Sequence, residues 1–182
     1  DGKGTSLYSK YINKDVVYQI MEFLDQVQPN SYILHDGYNI ARKVYSEDFK
    51  IGQSQKTHNL EDILENDVGG FFINVGSIEK ASEMVNKMRY LFPKVTIHQN
   101  LSYVDVSALG IDKAIGMRMI SDLFQSDDIW VIGDADNDMS MISSYNSFVV
   151  SWADDKLKKE ADFIVDSVNE AIKVVDAYGT KS

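Results

Sequence analysis

The stretch Ile129–Met141, IWVIGDADNDMSM, sets an apolar run directly before Asp134, Asp136, Asn137 and Asp138. The run has the length and composition of a buried strand, and Gly133 closes it. Carboxylates this close raise one another's pKa unless a cation or hydrogen-bond donors sit among them. The place matters too, because open parallel α/β sheets hold ligands at the carboxyl ends of their strands. Residues 136–138 then open a helix, whose unpaired N–H groups favour anions. An all-oxygen donor set favours Mg2+ over zinc. A calcium-binding EF-hand loop shares the alternation of the first five positions. It is rejected because Met139 stands where that loop has its turn glycine and Tyr145 where it has a bidentate glutamate. The plainer alternative is an aspartate capping the helix between solvated neighbours.

Outward from this stretch, the elements alternate strictly. A helix is expected over 112–125, a strand over 128–132, a helix over 136–144 and a strand over 147–150. A helix over 154–160, a strand over 162–165 and a helix over 168–178 complete the pattern. Short links between alternating elements imply parallel strands with right-handed crossovers.

Upstream the rhythm differs. A short strand is expected over 5–10. Asn13 reads as the cap of a helix carrying Val16, Val17, Ile20, Phe23, Leu24 and Val27 on one face. SYILHDGYNIARKV (31–44) reads as a hairpin hinged at Asp36–Gly37, and Ser46–His58 as a loop. A short helix over 59–66, the strand GFFINV (70–75) and a helix capped by Ser77 follow. KVTIHQ (94–99) and SYVDVS (102–107) then pair across Asn100. The hairpins favour a largely antiparallel sheet covered on one side. A domain change is placed at SALG (107–110), giving an α+β domain over 1–107 and a parallel α/β domain over 108–182.

Composition narrows the function. The net charge of −10 argues against nucleic-acid or anionic-membrane partners, both of which need a basic face. It leaves room for a small phosphorylated metabolite neutralised locally by a metal and a lysine. With no cysteine, disulfides, thiolate metal sites and cysteine nucleophiles are excluded, and a cytoplasmic location is the expectation. No apolar run reaches the roughly 20 residues that cross a bilayer. Lys113, in ALGIDKAIG (108–116), opens a helix against its dipole. Beside a phosphate site such a lysine offsets phosphoryl charge; elsewhere it faces solvent. Asp36, Tyr38 and His98 lie near strand ends and read as turn or sheet residues, and His35 and His58 lack metal-ligand spacing.

Taken together, GIDKAIGMRMI (110–120), WVIGDADNDMSMI (130–142) and LKKEADFIVDS (157–167) resemble the Cof-type, subclass IIB phosphatases of the haloacid dehalogenase (HAD) superfamily. That pattern has a Lys-Gly pair opening a helix, a strand ending in Gly-Asp-x-x-Asn-Asp, and a closing Ala-Asp-(Tyr/Phe)-(Val/Ile) strand. The resemblance implies the C-terminal half of a HAD-like Rossmannoid core, preceded by an α+β cap whose opening helix YINKDVVYQIMEFL (11–24) resembles. It implies a Mg2+-dependent phosphomonoesterase acting on a small phosphorylated metabolite, a sugar phosphate being one candidate. By position, Asp134 would ligate Mg2+, Asp138 would support the metal shell, Asn137 would contact the phosphate and Lys113 would bridge phosphate and nucleophile. Ala114 replaces the family's glycine, and Trp152 stands in a stretch where the family often has Asn-Ala.

The resemblance also implies an Asp-x-Asp-Gly-Thr motif that supplies the attacking aspartate and the general acid/base. The nearest approach is DGKGTS (1–6), in which Lys3 replaces the second aspartate. Both catalytic aspartates are therefore expected outside this sequence. Without the strand that carries them, Trp130–Ile132 would expose an apolar edge, so a homodimer or a separate N-terminal half at that edge is expected. Two functions stay open: a metal-dependent phosphatase, or a non-catalytic relative that keeps the fold as a binding module.

Overall fold

Asn13 opens the first helix among the described residues. Its side-chain oxygen accepts the Asp15 N–H at 2.9 Å, starting α1 (Lys14–Val27), whose buried face is Val16, Val17, Ile20, Phe23 and Leu24. The helix stops at Gln28, in the left-handed conformation (φ 47°), with its N–H on the Leu24 carbonyl. The computed structural model describes residues 9–46 and 58–179. The strand expected over 5–10 and the loop over 46–58 lie largely outside them; Ser9 and Lys10 are in no strand. Contacts divide the chain into two units, Asp1–Ile111 and Asp112–Ser182.

In the first unit, β1 (Ser31–His35) and β2 (Ile40–Val44) form the expected hairpin. After α2 (Leu60–Glu65) come β3 (Gly70–Asn74), α3 (Ile78–Leu91), β4 (Val95–Asn100) and β5 (Tyr103–Ala108). The sheet order is β2-β1-β3-β5-β4, and every pairing is antiparallel. β3 thus lies between two hairpins. Alternate residues Tyr32, Leu34, Phe71, Ile73, Val104 and Val106 share one apolar core with Ile20, Leu24, Ala81, Val85 and Met88 of the two long helices. Their neighbours in register, Ile33, Phe72, Asp105 and His98, lie on the other face. The unit extends past the boundary expected at 107, because β5 runs to Ala108 and Ile111 packs on the same core.

The second unit begins with α4 (Lys113–Phe124). It continues through β6 (Trp130–Gly133), a 3-10 turn (Asp136–Asp138), α5 (Met139–Ile142), β7 (Asn146–Val150), α6 (Asp155–Lys158), β8 (Phe163–Val165) and α7 (Val168–Gly179). Its strands are parallel in the order β6-β7-β8. Helices occupy both faces. Met141, Ile142 and Leu157 pack with Val131 and Val149, while Ala171 and Val174 pack with Phe148, Val165 and Ile132. The chain is thus α/β, one antiparallel sheet followed by one parallel sheet, as expected. No helix among the described residues is long and apolar enough to cross a membrane. The helix expected over 136–144 is broken after its first turn. Asp138 is pulled inward, and its N–H bonds the Ala135 carbonyl at 2.9 Å in the tighter 3-10 pattern.

The β1–β2 turn is held by a buried charge. Asp36 Oδ1 accepts the N–H groups of Tyr38 (2.9 Å) and Asn39 (2.7 Å). Its Oδ2 accepts the side-chain amides of Asn39 (3.0 Å) and Asn66 (2.8 Å), and Gly37 supplies the positive φ of 100° that the turn needs. Burial pushes this carboxyl up, but the four donors outweigh burial and bring it down to about 2. Its folded pKa is therefore depressed, so its contribution is full above the unfolded value near 4 and is lost as pH falls towards 2. Urea unfolding of Asp36→Ala at pH 7 should show a loss of about 1–3 kcal/mol, which shrinks when both proteins are compared at pH 3.

Candidate active site

Gly133 ends β6 without a side chain for a steric reason. A Cβ placed there would lie 2.7 Å from the Cβ of Asp138, which folds back under the strand end and is only 3 % exposed. The buried carboxylate has a full set of partners. Oδ2 accepts the backbone N–H groups of Asp134 at 2.9 Å and Ala135 at 3.2 Å, and Oδ1 forms an ion pair with Lys113 Nζ. Burial raises its pKa, but the Lys113 hydrogen bond and charge and the two N–H donors together hold it below the ordinary carboxylate range. Asp138 is thus ionised and fixes the curvature of residues 134–138.

Lys113 reaches this loop from the first turn of α4. Asp112 caps that helix by accepting the Ile115 N–H at 2.9 Å, and Tyr145 donates its hydroxyl to the Ala114 carbonyl at 3.1 Å. These two contacts fix the lysine's backbone, while its side chain remains 48 % exposed. Asp134 is exposed, and its carboxylate has no partner among the described residues. Asn137 is half-buried next to it, also without a side-chain hydrogen bond among the described residues. Asp136 faces the neighbouring connection, where Lys156 Nζ approaches it at 3.5 Å.

Of the residues singled out from the sequence, the fold brings Lys113 and Asp138 into contact and sets Asp134 on the same loop through its backbone. Asn137 adjoins them without touching. Asp36 is spent on its turn, Tyr38 is exposed on that turn, and His98 stands opposite Asp105 in the antiparallel sheet. Sequence reasoning missed Asp112, Tyr145 and Lys156. The Asp-Lys-Ala order at a helix start was a readable capping signal for Asp112; the other two act across 31 and 20 residues and leave no local trace.

No group of three or more His, Cys, Asp or Glu side chains among the described residues is arranged to hold a metal. Mg2+ asks less, since it keeps several waters and takes one or two carboxylates together with substrate oxygens. The unclaimed oxygens of Asp134 fit that demand. Those of Asp138 are already committed, which suits support of the loop rather than direct ligation.

Removing Asp138 leaves two N–H donors and a lysine without their acceptor, whereas removing the half-exposed lysine leaves the N–H bonds in place. Asp138→Ala should therefore cost the second unit about 2–3 kcal/mol in chemical unfolding, and Lys113→Met about 1 kcal/mol or less. Equal losses would contradict this division of roles.

The model of the haloacid dehalogenase-like hydrolases matches residues 1–175. Among solved structures, the chain is similar to a haloacid dehalogenase-like hydrolase from Bacteroides thetaiotaomicron, with a TM-score of 0.72 and 21 % identity over 96 % of this chain and 71 % of that one. A HAD/COF-like hydrolase from Plasmodium vivax gives 0.75 and 22 % over 91 % and 63 %. The HAD subclass IIB sugar phosphatase BT4131 gives 0.77 and 19 % over 93 % and 69 %. The chain thus spans 63 % to 71 % of the length of these relatives, and at such identities the likeness is one of fold. No curated protein matches the chain. Both sheets, the Gly133–Asp138 loop with its lysine, and a family match over residues 1–175 lead to one assignment: the chain belongs to the haloacid dehalogenase-like hydrolases.

Proposed function

We propose that this chain carries the metal- and phosphate-holding half of a Mg2+-dependent phosphomonoesterase site. One observation supports the reading above others: a lysine is fixed by a buried aspartate beside an exposed, unclaimed carboxylate at the carboxyl end of a parallel strand. Asp134 offers the oxygen for the metal. Lys113 presents positive charge to a phosphoryl oxygen, and Asp138 keeps that ammonium in place while curving the loop. Asn137 offers an amide donor to a second phosphoryl oxygen. When bound, Mg2+ neutralises charge on the phosphoryl group. The substrate in this reading is a small phosphorylated metabolite of the sugar phosphate class, and the setting is the cytoplasm, in keeping with a cysteine-free chain.

The attacking aspartate that the family resemblance implies is assigned to no residue here. In DGKGTS, Lys3 occupies the second aspartate position of the motif. This departure supports a second reading, a non-catalytic relative that binds phosphorylated ligands without turnover. Calorimetry with inorganic phosphate should give Mg2+-dependent binding that is lost in Asp134→Asn; no binding in either protein would refute both readings. Release of p-nitrophenol from p-nitrophenyl phosphate should appear when a segment bearing an Asp-x-Asp-Gly-Thr strand is supplied. Binding without turnover under that condition selects the second reading.

The partner surface in this proposal is the edge of β6. Among the described strands β6 has a neighbour on one side only, and the groove next to it is lined by Trp130, Ile132, Val168 and Ile172. An open apolar edge favours pairing with a second copy or with a separate segment that supplies a further strand. Light scattering on the purified chain should therefore report a dimer, and a monodisperse, well-folded monomer would count against the edge as a pairing surface.

A further inference from the structure

The connection after β7 carries a feature that phosphate binding does not use. Ser151 N–H bonds the Val165 carbonyl at 2.9 Å, and Ala153 N–H closes a turn on the Val150 carbonyl at 3.0 Å. Ala153 is buried, so the base of the turn is fixed, while Trp152 at its tip is 68 % exposed. The other tryptophan, Trp130, lies in an aromatic cluster with Phe148, Phe163 and Tyr178; Trp152 has no ring partner among the described residues. Two residues on, Asp154 stands at the start of α6 without using its side chain as a cap, so its carboxylate stays available. The turn also lies beside the acidic loop. β6 and β7 are adjacent and parallel, with Gly133 opposite Val149, so both connections leave the same end of the sheet. Lys156 to Asp136, at 3.5 Å, joins them.

An indole held out on a rigid turn has a large apolar face for the C–H side of a sugar ring, and a nearby carboxylate accepts hydroxyl donors. The carboxylates around it disfavour a second anionic group, so the ligand should be neutral outside its phosphate. We propose that Trp152, with Asp154, reads the ring of a hexose or pentose monophosphate whose phosphate is held at Lys113 and Asp134. The inference rests on the phosphate-site reading above and adds to it a specificity-determining residue on the parallel-sheet unit.

Glucose 6-phosphate, mannose 6-phosphate, ribose 5-phosphate and inorganic phosphate, each titrated with Mg2+ by calorimetry, separate the two ideas. At least one sugar phosphate should bind more tightly than inorganic phosphate. Trp152→Ala should weaken that sugar phosphate about ten-fold while leaving inorganic phosphate unaffected, and Trp152→Phe should recover part of the loss. In Trp130→Phe, where Trp152 is the remaining tryptophan, the sugar phosphate should change the emission saturably and inorganic phosphate should not. If inorganic phosphate binds but no sugar phosphate binds more tightly, or if Trp152→Ala affects both alike, the ring platform is overturned and the phosphate site stands. If nothing binds, both are overturned.

Discussion

A single buried carboxylate organises the second unit. Asp138 is ionised in a place where water barely reaches, and such a charge is tolerable only with several donors around it. Those donors come from two directions: the backbone of its own loop and the ammonium at the head of α4. A lysine in the first turn of a helix is opposed by the helix dipole, and the ion pair with Asp138 together with the Asp112 cap offsets that opposition. Gly133 belongs to the same constraint, because no side chain could share its space with Asp138. Strand end and loop curvature therefore depend on one side chain, which also holds the ammonium that the capped start of α4 presents.

Much of this architecture was legible in the chain. The apolar run before Asp134, the helical spacing of Val16 to Leu24 and the hairpin hinge at Asp36–Gly37 have local causes, so the residues announce them. The acidic loop stood out as a candidate site for the same reason. What the residues did not announce was the physical basis for dividing the work between its carboxylates. The family resemblance assigns Asp134 to the metal and Asp138 to its support; in the fold one faces solvent and the other is buried against backbone donors. That difference arises from the path of the chain below Gly133, which a residue pattern does not encode. The break after Asp138 has the same origin: local periodicity predicts a continuous helix, and an inward side chain overrides it.

The two sheets treat their edges differently. At the β2 edge of the antiparallel sheet, His58 bridges Ala41 and donates its N–H to the Ile40 carbonyl at 2.8 Å, so part of that edge is covered from within the chain. β6 has no such cover among the described residues, although its central residues are apolar and its tryptophan sits in an aromatic stack. An edge of this composition is an unusual feature for a strand to present to solvent.

The position of β3 also has a consequence in time. The hairpins β1–β2 and β4–β5 close over short connections, so their loop-closure entropy is small and each is able to form early. Neither pairs with the other. The five residues Gly70–Asn74 are flanked by both, and Phe71 and Ile73 enter the core on the same side as residues from each hairpin. The two hairpins thus become one cooperative body only where β3 docks between them, through contacts of longer range than either hairpin's own closure.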